Sequence, residues 1–91
     1  MNKTINYEHT FKIEILNEFS NSVYARLSNY VLKKGIDKND NNNYHARLLK
    51  ELSEMLNKNL FNMTDEELDN VLDYWKQKND LTKKIIKEKS A

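Results

Sequence analysis

Large apolar side chains return every fourth residue through the first third of this chain: Phe11, Ile15, Phe19, Val23, Leu27 and Val31. A return this close to the period of an α-helix gathers oily groups along one side of a rod, which must then hide that side against something else. Leu16 and Tyr30 widen the stripe. Lys33 and Lys34 close it, where cations favour the carbonyl end of the helix dipole, and Gly35 follows as a stop. The spacing predicts a helix over 10–34.

A second pattern overlaps the start of the first. Ile5, Tyr7, His9, Phe11, Ile13 and Ile15 alternate with Asn6, Glu8, Thr10, Lys12 and Glu14. Alternation is the mark of a half-buried strand. The helical spacing persists much further along the chain, so helix is expected from about Thr10, with residues 3–9 extended as a short N-terminal strand.

Residues 35–43, rich in Asn and Asp, are expected to form a polar loop, because these side chains bond to nearby backbone and compete with helix. A second helix is predicted over 44–59 from Tyr44, Leu48, Leu52 and Met55, flanked by Leu49 and Leu56. Leu60 and Phe61 are expected to fold back onto the core. A third helix over 65–88 has the clearest start. Thr64 and Glu67 have the spacing of a capping box, Met63 and Leu68 that of a hydrophobic staple, and Asp65, Glu66 and Glu67 place negative charge at the positive end of the dipole. Leu68, Val71, Leu72 and Trp75 form its stripe, which resumes at Thr82, Ile85 and Ile86. Asn79-Asp80 could interrupt it, leaving Asp80 to cap a short fourth helix.

Composition agrees with helix. The 91 residues include no proline and one glycine, and tight strand-to-strand turns tend to need glycine. The expected fold is a single all-α domain over 1–91, a small three-helix bundle. The short second helix cannot cover the other two along their whole length. Apolar surface is therefore left for a protein partner or a homodimer.

The chain has no cysteine, so disulfides and thiolate metal sites are excluded. It contains no apolar run long enough for a membrane span and no signal-peptide pattern near its first residues, which points to the cytoplasm. Abundant Asn and Lys fit an AT-rich genome, bacterial or phage.

The chemistry-bearing patterns are sparse. Asp37, Asn39 and Asn41 have the opening spacing of a calcium loop, but Asn42 stands where the turn needs glycine and Leu48 where it needs a bidentate glutamate. His9 and His45 have no metal-ligand partner at helical spacing. One glycine cannot build a phosphate-binding loop, and nothing resembles a nucleophile with its base. No metal, no cofactor and no catalysis are expected.

Nucleic acid is the alternative partner. Lys83, Lys84 and Lys87 form a basic C-terminal stretch able to contact phosphates, although cations there also complement the dipole of the third helix. An alternating segment, a helix ending in Lys-Lys-Gly, a loop and a further helix make residues 5–56 resemble a ribbon-helix-helix repressor. The resemblance implies paired strands in the major groove presenting Asn6, Glu8, Thr10, Lys12 and Glu14. Two of these are glutamates, which phosphates repel, and the loop Ile36–Asn43 is longer than that family's turn.

Tyr24 and Arg26 flank the first helical stripe and Tyr74 flanks the third, and Tyr and Arg are enriched at protein interfaces. These three are the sequence's candidates for partner contact. Trp75, on the stripe itself, is expected to be a buried anchor. The favoured reading is a helical protein-interaction module, an adaptor, inhibitor or regulator that occupies a partner's surface with a helix face. The alternative is a DNA-binding transcriptional regulator.

Overall fold

The computed structural model describes residues 7–90, with side chains placed over 8–87. The elements are α1 (Tyr7–Lys33), α2 (Tyr44–Leu56), a single 3₁₀ turn (Leu60–Asn62) and α3 (Asp65–Ser90). The all-α, three-helix expectation holds, and no strand occurs among the described residues.

The period-two pattern loses to the helix. α1 is already helical at Tyr7, so the extended segment expected over 3–9 is overturned from Tyr7 onward, and residues 3–6 lie outside the described residues. The ribbon of the repressor resemblance disappears with it. Glu8, Thr10, Lys12 and Glu14 point around a helix instead of along one strand face, while Asn6 lies outside the described residues.

The stripe itself also needs correction. Ile13, Leu16, Val23, Leu27, Tyr30 and Val31 are buried on α1, together with Ser20, whereas Phe11 is 62% and Ile15 45% exposed. At about 100° per residue, each four-residue step overshoots a full turn by about 40°, and Phe11 ends up about 200° away from Val31. The buried positions instead alternate steps of three and four, the rhythm of a coiled-coil seam. Leu68, Val71, Trp75, Thr82 and Ile85 keep the same rhythm on α3.

Cross-helix pairs fix the directions. His9 meets Asp65, Lys12 meets Asp69, and Arg26 meets Asn79 and Thr82, so α1 and α3 run parallel. Tyr30 stacks edge-on to His45, Glu51 bonds Tyr74, and the connection from α1 returns through a loop, so α2 runs antiparallel to both. α1 is the spine against which the other two pack. The body measures 55 × 25 × 18 Å, and its radius of gyration, 15.5 Å, exceeds the roughly 12 Å of a compact domain this long.

Local chemistry sets the ends. Gly35 at φ 67° closes α1 as a Schellman motif: Ile36 N–H donates to Val31 O at 3.0 Å and Gly35 N–H to Leu32 O at 3.1 Å. Asn43 Oδ1 accepts from Ala46 N–H and starts α2, and Asn57 caps its end, so that the helix stops three residues short of the expected 59. Leu60 folds onto the core as expected, but Phe61 is 70% exposed. Thr64 and Glu67 form the capping box reciprocally, at 2.8 and 3.1 Å. α3 runs unbroken through Asn79-Asp80, so there is no fourth helix among the described residues.

Candidate partner-binding surface

α2 is thirteen residues long, about 20 Å, and it lies along the C-terminal half of α1. Of the described helices, α3 is the one that lies beside the N-terminal half of α1. Leu16 is sealed in that seam, 1% exposed, while Phe11 and Ile15 stand on its open side. Between them and Leu72 of α3 lies a shallow groove of about 260 Å³, lined also by Glu8, Lys12 and Leu16. Exposed apolar side chains standing together are the ordinary mark of a candidate interaction surface.

The segments that carry this patch are rich in carboxylates. The paired segments 8–18 and 65–73 carry Glu8, Glu14, Glu18, Asp65, Glu66, Glu67, Asp69 and Asp73 against a single lysine, Lys12. His9 Nδ1 lies 2.6 Å from Asp65 Oδ1, and that contact holds the Asp65 carboxyl below its usual range. Lys12 Nζ donates to Asp69 Oδ1 at 3.0 Å, which raises the Lys12 ammonium above its usual value. Both pairs tie α1 to the first turns of α3 and stand in solvent, so they set register more than stability. The acids of α3 also lie near the N-terminal ends of both helices, where the dipoles favour negative charge.

The residues singled out from the sequence do not gather into one site. Arg26 is half-buried, and its guanidinium donates to Asn79 Oδ1 at 2.6 Å and Thr82 Oγ1 at 3.2 Å across the α1–α3 seam. Tyr74, also half-buried, donates to Glu51 Oε2 at 2.5 Å. Lys78 Nζ sits 3.2 Å from Glu51 Oε2 and 5.1 Å over the Tyr74 ring. Burial, then the bond to Glu51, pushes the Tyr74 hydroxyl well above its ordinary range. Tyr24 is half-buried beside Ala46, Leu49 and Ser53, at the edge of an open polar hollow lined by Lys38 and Asn39. Trp75 is buried as expected, 1% exposed and edge-on to Tyr74. Lys83, Lys84 and Lys87 are exposed at the far end of α3.

The polar loop spends its carboxylates on its own backbone. Asp37 Oδ1 accepts from Asn39 N–H and Asp40 Oδ1 from Asn42 N–H, both at 2.9 Å, which are the Asx turns that such sequences form. No helix among the described residues is long and apolar enough to cross a membrane.

Phe11 and Ile15 are the surface residues that the periodicity misassigned to the core. The signal lay in the spacing itself, because a strict four-residue row winds around the helix and its first members must leave the face that its last members share.

Known proteins resemble this chain over nearly its full length. A profile of the bacterial epsilon antitoxin family matches residues 5–91. Antitoxin epsilon of Streptococcus pyogenes is 44% identical over 88 residues, covering 96% of this chain and 98% of the relative. Among solved structures, a chain of a toxin–antitoxin system bound to its substrate superposes with a TM-score of 0.85 at 43% identity, covering 89% of this chain and 95% of that one. A chain of the PezAT chromosomal toxin–antitoxin system of Streptococcus pneumoniae gives a TM-score of 0.83 at 26% identity, covering 100% of this chain and 97% of that one.

Proposed function

The chain belongs to the bacterial epsilon antitoxin family, and from that membership we propose that it is the neutralising half of a toxin–antitoxin pair, binding a partner toxin of the zeta kind in the cytoplasm. It works by occupying the toxin's surface and carries out no chemistry itself. What supports placing the contact at this end is the exposure of Phe11 and Ile15 beside each other over the groove that they share with Leu72. A cleft on the toxin lined by apolar and basic groups matches this end of the molecule: the apolar pair fills it and the excess of carboxylates on the two segments steers it into place. α3 braces the α1 rod from behind, so little ordering cost accompanies docking.

The test is calorimetric titration of the toxin with wild-type chain and with Phe11→Ala and Ile15→Ala. Each substitution should weaken binding by at least about tenfold. Asn39→Ala, in the loop about 30 Å along the rod, should leave binding unchanged. Equal affinity for all four proteins would move the contact elsewhere.

A further inference from the structure

The parallel pairing of α1 and α3 makes the molecule electrically two-ended, and charge meets charge differently at each end. Near the start of α3 opposite charges face one another across the seam, His9 with Asp65 and Lys12 with Asp69. A step of seven residues keeps a side chain on the same flank of a helix to within about 20°. Two such steps lead from Lys12 to Arg26 and from Asp69 to Lys83, and one more leads from Arg26 to Lys33. Arg26 still faces α3, where it meets Asn79 and Thr82. Lys87 stands one turn beyond Lys83, with Lys84 beside them. The flank that is zipped by charge pairs at one end therefore gathers lysines from both helices at the other. Lys33, Lys83, Lys84 and Lys87 are exposed, and among the described residues none of them has a carboxylate partner.

Helix dipoles do not absorb this charge. Segments 33–34 and 80–90 carry six lysines against Asp80 and Glu88, an excess of four. The carbonyl ends of α1 and α3 offset only about one unit of it. In the loop and the first turn of α2, Asp37 and Asp40 are matched by Lys38 and Arg47. Asp69, on the acidic end of the same flank, lies about 20 Å along α3 from Lys83, more than two Debye lengths at physiological salt. The lysine flank thus acts as a separate cationic surface.

We propose that this flank binds the phosphate backbone of duplex DNA, without reading its sequence. Among the described residues no large apolar side chain is exposed on it. Leu32, on the last turn of α1, lies about 100° round the helix from Lys33. A protein interface or a bilayer surface draws on apolar anchors, whereas phosphates require only cations. Unpaired strands are held by aromatic platforms. The exposed ring at this end, Tyr44, lines a hollow with Lys78, which projects about 180° from Lys87 around α3. The body is 25 × 18 Å in section, too broad for a major groove about 12 Å wide, so its contacts stay on the phosphates. The contact does not depend on the antitoxin reading.

The test is fluorescence anisotropy of a labelled duplex of arbitrary sequence titrated with the full chain. Binding should appear at low salt and weaken as salt rises, with a log–log slope of about −3 to −4 for roughly four phosphates. Lys83→Gln and Lys87→Gln should each reduce that slope by about one and weaken binding severalfold, and together by at least about tenfold. Lys58→Gln, on the connection after α2, should change nothing. Asp80→Asn removes a carboxylate one turn before Lys83 and Lys84 and should tighten binding severalfold, a gain that a misfolded variant would not give. Absence of binding at low salt overturns the proposal, as does binding that Lys83→Gln and Lys87→Gln leave intact. Tighter binding to a single strand than to the duplex would assign the contact to unpaired bases and overturn it. So would binding to phosphatidylserine vesicles with none to DNA, which would make the flank a lipid contact.

Discussion

Arg26 reaches from α1 to Asn79 on α3, donating to its Oδ1 at 2.6 Å, and the same guanidinium nitrogen lies 3.2 Å from the buried Thr82 hydroxyl. Thr82 in turn donates to Asn79 O at 3.0 Å. One cation therefore satisfies the polar atoms of the middle of the seam, where Asn79 would otherwise favour leaving the helix. Arg26→Ala removes the donor to the Asn79 side-chain oxygen and to the Thr82 hydroxyl oxygen in a half-buried seam, while Thr82 keeps its bond to Asn79 O. It should cost about 1–3 kcal/mol, read as a lower urea midpoint with an unchanged slope. Arg26→Lys should recover only part of this, because a single ammonium cannot match the planar fork.

The Glu51–Tyr74 bond sets an acid-sensitive contribution. The hydrogen bond from Tyr74, followed by Lys78, holds the Glu51 carboxyl below its ordinary 4.5. Because the folded form prefers the charged state, its stabilisation is complete above that value and fades as pH falls below it. Glu51 is about half exposed, so solvent reduces the effect. Tyr74→Phe should cost about 0.5–1 kcal/mol at neutral pH and flatten the loss of stability between about pH 5 and pH 3, measured by urea unfolding across that range.

Gly35 offers a test of pure backbone strain. Its φ is +67°, and a β-carbon placed there would meet nothing within 4 Å. Gly35→Ala should therefore destabilise by about 1 kcal/mol through conformation alone, and Gly35→Asn by less, since asparagine tolerates the left-handed region. A thermal melt distinguishes the two.

These features are legible in the sequence to different depths. The capping box at Thr64 and Glu67, the Gly35 stop and the burial of Trp75 depend on neighbours a few residues away, and local spacing is enough to place them. Arg26 and Tyr74 stand out as side chains, and Asn79 as a possible helix breaker, while the pairing of Arg26 with Asn79 and of Tyr74 with Glu51 does not show. Those partners are set by the directions of the helices, which no window of sequence contains. α3 continues through Asn79-Asp80 at the point where Arg26 of α1 donates to Asn79 Oδ1.

The surface was harder to place than the fold. Phe11 and Ile15 look like core because they are apolar and periodic, and the strand-like alternation from Ile5 to Ile15 adds a second misleading signal. Two facts decide between core and surface there: the angular drift of a four-residue row, and the shortness of α2, which leaves that half of α1 uncovered. The charge asymmetry was likewise present as separate runs of acids and bases. It becomes a two-ended molecule only once α1 and α3 are known to be parallel.

Neighbouring residues on α1 should separate binding from stability. Phe11 is 62% exposed and Leu16 1%. Phe11→Ser removes a side chain that water already reaches, so stability should change by no more than about 0.5 kcal/mol, or rise slightly. Leu16→Ala opens a cavity in the α1–α3 seam and should cost about 2–5 kcal/mol. Toxin affinity should respond in the opposite order. It should fall sharply for Phe11→Ser and, at temperatures where both proteins are folded, only slightly for Leu16→Ala. Paired urea titrations and toxin titrations of the two variants measure both quantities. If affinity followed stability across the pair, the toxin would be sensing the integrity of the bundle and not the side chain that Phe11 presents.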